Sequence, residues 1–179
     1  MTIFFWALPV SASTVLTLRE AEWKRGNPQL ILDIDSNTGY LLYEDASYFP
    51  FLIASGQRRF VHYLGYAYFA ATPLGSWSIN DEKIQPDKMT FGPTGRFFRL
   101  YEDGSKHTYY GIHSHKYVAK WLAQGERYKS YGCVIVSDEV LDILEKALDR
   151  NGSITAITTF GSQKFLDEIA ERERVKTNF

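Results

Sequence analysis

The chain has 179 residues and a mass of 20.6 kDa, with 45% hydrophobic and 23% charged residues, values that suit one domain with a real core and exclude disordered or collagen-like classes. Twenty Lys and Arg against 21 Asp and Glu leave a net charge of -1, which disfavours a partner held by counterion release, such as bulk nucleic acid. No apolar run reaches the roughly 18 to 20 residues of a membrane span, and a single cysteine excludes both an internal disulfide and a multi-cysteine zinc site.

From the N-terminus, Met1 to Ala12 is read first as a plain N-terminal strand; the competing reading is the remnant of an export signal, against which no basic residue precedes its short apolar stretch. Leu18 to Lys24 is expected to form a short helix closed by Gly26-Asn27-Pro28. Gln29 to Asp35 alternates, with Leu30, Leu32 and Ile34 on one face. Ser36-Asn37-Thr38-Gly39 then turns the chain back into Tyr40 to Tyr43 as a hairpin. Phe51 to Ser55, Phe60 to Ala71, Trp77 to Ile79, Arg96 to Tyr101 and Thr108 to His113 read as further strands. Turns divide them at Thr72-Pro73-Leu74-Gly75, Gly92-Pro93-Thr94-Gly95 and Glu102-Asp103-Gly104.

The pattern changes near residue 116. Tyr117, Val118, Trp121 and Leu122 fall at helical spacing, Cys133 to Val136 is a short strand, and Ser137 caps a helix with Asp138 and Glu139 in its first turn. Val140, Leu141, Leu144 and Leu148 form its stripe, Asn151-Gly152 ends it, Ile154 to Phe160 is a strand, and Lys164 to Arg174 is a charged amphipathic helix. The expected fold is mainly β (α+β): an antiparallel sandwich or barrel-like domain over residues 29–162 with a helical insert, an N-terminal segment 1–28, and a C-terminal surface helix over 163–179. Aromatic content is high at 16%, which leans the same way.

Two stretches could carry chemistry: Gly111-Ile112-His113-Ser114-His115 and, after sixteen residues between His113 and Ser130, Ser130-Tyr131-Gly132-Cys133. A cysteine behind a glycine at a turn-to-strand junction has backbone N–H groups near its sulfur, which can receive charge developing on an attacked carbonyl. A histidine ending a neighbouring strand can lower the thiol pKa and protonate a leaving amine. The bland alternative is a buried, inert cysteine. His62 and His107 read as structural or solvated, and Trp77 as core.

The His113…Ser130-x-Gly132-Cys133 spacing resembles the signature of the L,D-transpeptidases of the YkuD type, as do Ile112 before His113 and Thr72-Pro73-Leu74-Gly75 through Ile79. The resemblance spans roughly residues 29 to 160. It implies a catalytic domain of the bacterial envelope, periplasmic or secreted, acting on peptidoglycan stem peptides without metal or organic cofactor. Cys133 would be nucleophile and His113 base, with Ser114 orienting His113 through its carbonyl. Gly132 and Cys133 N–H groups, with Tyr131, would form the oxyanion hole. Ser130, Tyr131, His115 and Tyr109 would lie on the substrate side. Tyr131 stands where the family has His, and Ile135 where it has Asn or Arg, which puts substrate anchoring in question. His115 also fits the spacing; the Ile-His step favours His113. Transfer to an amine, hydrolysis, an antibacterial effector and a catalytically inactive wall-binding protein all remain open, as does the oligomeric state.

Overall fold

Buried, β-branched and aromatic segments alternate with turn chemistry along most of the chain, and the chain folds accordingly. The computed structural model describes residues 14–63, 65–163, 165–167 and 171. The expectations for Met1–Ala12 and for most of the helix at Lys164–Arg174 therefore lie outside the described residues. In chain order the elements are α1 (Leu18–Trp23), β1 (Gln29–Asp33), β2 (Thr38–Leu42), β3 (Tyr48–Leu52), β4 (Ser55–Gly56), β5 (Phe60–Tyr63), β6 (Tyr66–Phe69), β7 (Gly75–Ile79), β8 (Glu82–Ile84), β9 (Arg96–Glu102), β10 (Lys106–His113), α2 (Val118–Ala123), β11 (Tyr128–Ser130), β12 (Val134–Ile135), α3 (Asp138–Asn151) and β13 (Ile154–Thr159).

The main sheet runs β12-β10-β9-β7-β13-β1-β2-β3, with β8 also paired to β9. It is mixed, not antiparallel throughout as expected. β1 pairs parallel with β13, and β10 pairs parallel with β12. A parallel partner needs a crossover, and the chain supplies one between β10 and β12 through α2 and β11. β13 follows α3 and enters between β7 and β1, so the last described strand closes the middle of the sheet.

The core sits on one face. Leu30, Leu32, Leu41, Phe98, Leu100, Ile112 and Val134 pack there against Val140, Leu141, Leu144 and Leu148 of α3, the stripe expected from the sequence. A second, smaller cluster occupies the other face near β12, where Ile135 and Ala54 meet Val118, Trp121 and Leu122 of the α2 region. The two residues of β12 thus alternate, Val134 facing the main core and Ile135 the α2 side.

Several local expectations change. Phe60–Ala71 is not one strand: it folds back at Gly65 (φ 83°) into the separate β5–β6 hairpin. Ser137 holds the N-cap position of α3 with extended backbone (φ -70°, ψ 160°), but its hydroxyl makes no capping hydrogen bond. At α1 a full capping box joins Thr17 and Glu20, a signal overlooked in the sequence. The segment before β1 is built onto the sheet: Leu16 N–H donates to the Tyr48 carbonyl (2.7 Å), Ala21 is fully buried, and Glu22 pairs with Lys146 of α3.

Candidate active site

Cys133 ends a tight loop between β11 and β12, and two side chains, those of Ser130 and Thr72, hold its carbonyl. Ser130 Oγ donates to the Cys133 carbonyl (2.5 Å) and accepts from Gly132 N–H (3.1 Å). Thr72 Oγ1 donates to the same carbonyl (3.4 Å) while accepting from Gly56 N–H (3.0 Å). The Thr72-Pro73 segment therefore braces the cysteine loop from below. Gly132 sits at φ 127°, and a Cβ there would come within 2.6 Å of the Tyr110 ring, so glycine is required by both backbone and space.

The parallel pairing of β10 and β12 aligns Ile112 with Val134 and His113 with Ile135. Ile112 and Val134 enter the main core, so His113 and Cys133 share the opposite face on adjoining strands. Cys133 is half-buried, its Sγ 4.0 Å from the Tyr109 carbonyl and within reach of Gly111 N–H. Burial pushes the thiol up to about 11, although Gly111 N–H and the Arg99 charge both pull it down. Desolvation thus outweighs the two stabilising groups.

His113 is 4% exposed, and its ring completes a triangle with those of Phe91 (5.0 Å) and Phe97 (5.9 Å). Nδ1 lies 2.5 Å from the Ser114 carbonyl, so in the neutral ring Nδ1 carries the proton and Nε2 is the basic nitrogen. Burial lowers its pKa to about 4, against the Ser114 and Thr90 carbonyls, which favour the imidazolium. Ser114 is fully buried, and its Oγ donates to Asp138 Oδ2 (2.9 Å). Asp138 also accepts from Thr94 Oγ1 (3.1 Å), and its backbone carbonyl receives Arg96 Nη2 (3.1 Å). Asp138 reads from sequence only as a first-turn acid of α3; its hold on Ser114 depends on the approach of α3 to the end of β10.

The remaining sequence candidates divide. His115 turns to α2: it stacks on Trp121 at 4.1 Å and its Nδ1 accepts from Tyr117 N–H (3.1 Å). Tyr131 is 48% exposed, stacks on Tyr63 of β5 at 5.0 Å, and its carbonyl accepts from Tyr68 OH (3.1 Å). The Tyr109 side chain is 93% exposed. Trp77 is half-buried and donates to Thr158 Oγ1 (2.9 Å). Among the described residues no group of three or more His, Cys, Asp or Glu is arranged to hold a metal.

The model of the L,D-transpeptidase catalytic domain (YkuD) matches residues 27–155, well over half of the chain. The chain belongs to the L,D-transpeptidase catalytic domain family. No curated protein matches it. Two solved structures share the fold: an L,D-transpeptidase from Xylanimonas cellulosilytica (TM-score 0.54, 17% identity, covering 76% of this chain and 62% of that one) and Bd1075 of Bdellovibrio bacteriovorus (TM-score 0.53, 12% identity, 96% and 61%). The chain thus spans less than two thirds of either structure. As an L,D-transpeptidase-family domain, it carries its His and Cys candidates at the parallel β10–β12 edge, inside the matched range.

Proposed function

We propose that this domain is a cysteine acyltransferase of the bacterial envelope acting on peptidoglycan tetrapeptide stems outside the cytoplasm. The observation that carries the reading is the shared face of His113 and Cys133, with the Ser114 carbonyl holding the His113 tautomer. As the sulfur attacks the carbonyl of the third stem residue, its proton passes to His113 Nε2. The S–C bond forms, and the Cys133 and Tyr131 N–H groups receive the oxyanion. Gly132 N–H, expected among these donors, is committed to Ser130 Oγ. Collapse breaks the C–N bond, and His113 returns the proton to the departing D-Ala amine. The thioester then passes its acyl group to a stem amine or to water.

Both groups are neutral at rest, since the thiol lies near 11 and the imidazole near 4. The proposed chemistry is therefore general-base attack within the substrate complex, in place of a standing thiolate–imidazolium pair. The exposed rings of Tyr131, Tyr63 and Tyr109 border the sulfur side and provide contacts for a stem peptide.

Incubation with defined tetrapeptide muropeptides, with products read by mass, tests the reading. Loss of D-Ala, with either a cross-linked or a trimmed product, is expected from the native chain and from neither Cys133→Ala nor His113→Ala. A cross-link identifies an amine acceptor and a tripeptide identifies water. No product, together with no carbapenem adduct on a thiol that still alkylates at high pH, would replace the enzyme by a wall-binding protein on the same scaffold.

A further inference from the structure

Arg99 of β9 faces the same side of the sheet as the sulfur. β9 pairs Arg99 with Gly111, and the β10–β12 register continues that row to Cys133. The row thus runs from Arg99 over Gly111 to Cys133, one residue before β12, with the Phe97 ring lying over Gly111 in the place of a side chain. A Cβ at Gly111 would overlap that ring, so glycine is required there by packing. The guanidinium, over the same ring, acts electrostatically on the thiol.

This cation is incompletely partnered. Nη1 donates to the Thr108 carbonyl, and the guanidinium lies over the Phe97 ring at 5.2 Å from its centroid. Nε is buried with no hydrogen-bond partner. Among the described residues no carboxylate forms an ion pair with Arg99, whereas Arg96 on the same strand gathers Glu82, Asp138, Asp142 and Glu145. A desolvated guanidinium with a spare donor, beside a nucleophile, is suited to a planar carboxylate. Ile135 leaves no polar side chain at the position where the sequence resemblance expects one.

We propose that Arg99 binds the C-terminal carboxylate of the substrate and so restricts attack to a stem ending one residue beyond the attacked carbonyl. The inference rests on the proposed function. In a tetrapeptide stem the α-carboxylate of the leaving residue is separated from the scissile nitrogen by a single carbon. When the carbonyl carbon is at Sγ, that carboxylate is therefore close by, and Arg99 is the cation whose charge is felt at the sulfur. No covalent step involves Arg99; it binds and selects.

The test compares a synthetic tetrapeptide stem bearing a free C-terminal carboxylate with the same stem as its carboxamide, using the native chain, Arg99→Met and Arg99→Lys. The native chain is expected to favour the acid by about 10- to 100-fold in kcat/KM, the worth of a charge-assisted hydrogen bond. Arg99→Met should lose that preference through KM on the acid, with a smaller fall on the amide that follows the change at the thiol, and Arg99→Lys should recover part of it. The Met variant should also alkylate with iodoacetamide along a pH profile displaced upward, because a cation near the thiol has gone. Equal turnover of acid and amide by the native chain overturns the role of Arg99 and leaves the acyltransferase standing. An equal loss on both substrates in Arg99→Met reduces the residue to a packing element and overturns it too. If the native chain turns over neither stem, the function and the carboxylate site fall together.

Discussion

Asp138 touches neither His113 nor Cys133, yet it governs how His113 is held. It receives Ser114 Oγ, and Ser114 in turn offers its carbonyl to His113 Nδ1. Replacing Asp138 by Ala leaves a buried hydroxyl without its acceptor, which costs about 1–3 kcal/mol and frees the Ser114 peptide to rotate. The expected outcome is a fall in kcat of about 10- to 100-fold with KM little changed, because the tautomer is disturbed and the binding surface is not. Asp138→Asn keeps an acceptor at Oδ1 and should restore most of the rate. Steady-state kinetics on the defined stem, beside thermal melts of both variants, separate this from simple unfolding: a kcat loss that tracks the melting temperature, or no rescue by Asn, removes Asp138 from the chain of contacts. From sequence Asp138 had a role only as a helix-dipole partner. A hydrogen bond between residues 24 positions apart carries no local signal.

At the scale of elements, α3 is held to the sheet on two sides. Its apolar stripe enters the core, and its acidic edge meets Arg96 of β9, which is 6% exposed and lies near Glu82, Asp138, Asp142 and Glu145. Removing the cation leaves like charges facing one another, one of them largely buried. Arg96→Met is therefore expected to destabilise the fold by about 1–3 kcal/mol in denaturant titration, less than for a fully buried pair because Asp142 and Glu145 are about half exposed. A change below about 0.5 kcal/mol would mean that solvent already screens the cluster. The stripe of α3 and the Gly152 stop were legible because both are local: apolar residues recur at helical spacing, and Gly152 adopts φ 74° at the C-cap. The break of Phe60–Ala71 into β5 and β6 was not legible. Its turn carries one glycine within a run of aromatics, and the rings that look core-forming stay on the surface, Phe60 and Tyr66 most of all.

At the scale of the whole molecule, Glu82 and His113 have opposing effects on stability at mildly acid pH. Burial, reinforced by Glu145 and opposed by Arg96, lifts Glu82 from 4.5 to about 7. The folded state then holds a proton that the unfolded chain has released, and stability falls as pH rises from 4.5 to 7. Burial lowers His113 from 6.5 to about 4, so the unfolded chain takes up a proton that the folded state refuses. That contribution is complete above 6.5 and is lost as pH falls toward 4. Each shift corresponds to about 3 kcal/mol, and the windows overlap between 4.5 and 6.5. The native chain should show a nearly level stability across that interval. Glu82→Gln should expose a slope that rises with pH, and His113→Phe one that falls. Urea titrations at pH 4.5, 5.5 and 6.5 read all three, and identical slopes in the three proteins would mean that neither group is desolvated.

The sequence alone determined the β-rich class, most strand positions, the α3 stripe and the pairing of His113 with the Ser130-x-Gly132-Cys133 loop as the place to look, because periodicity, turn residues and motif spacing are all properties of neighbouring positions. The tertiary structure decided the rest. The parallel β10–β12 and β1–β13 pairings, the bracing of Cys133 by Thr72 and Ser130, the elevated thiol pKa and the row from Arg99 across Gly111 to the sulfur all arise between segments distant along the chain. Desolvation and cross-strand register depend on which surfaces the fold brings together, and no window of consecutive residues contains that information.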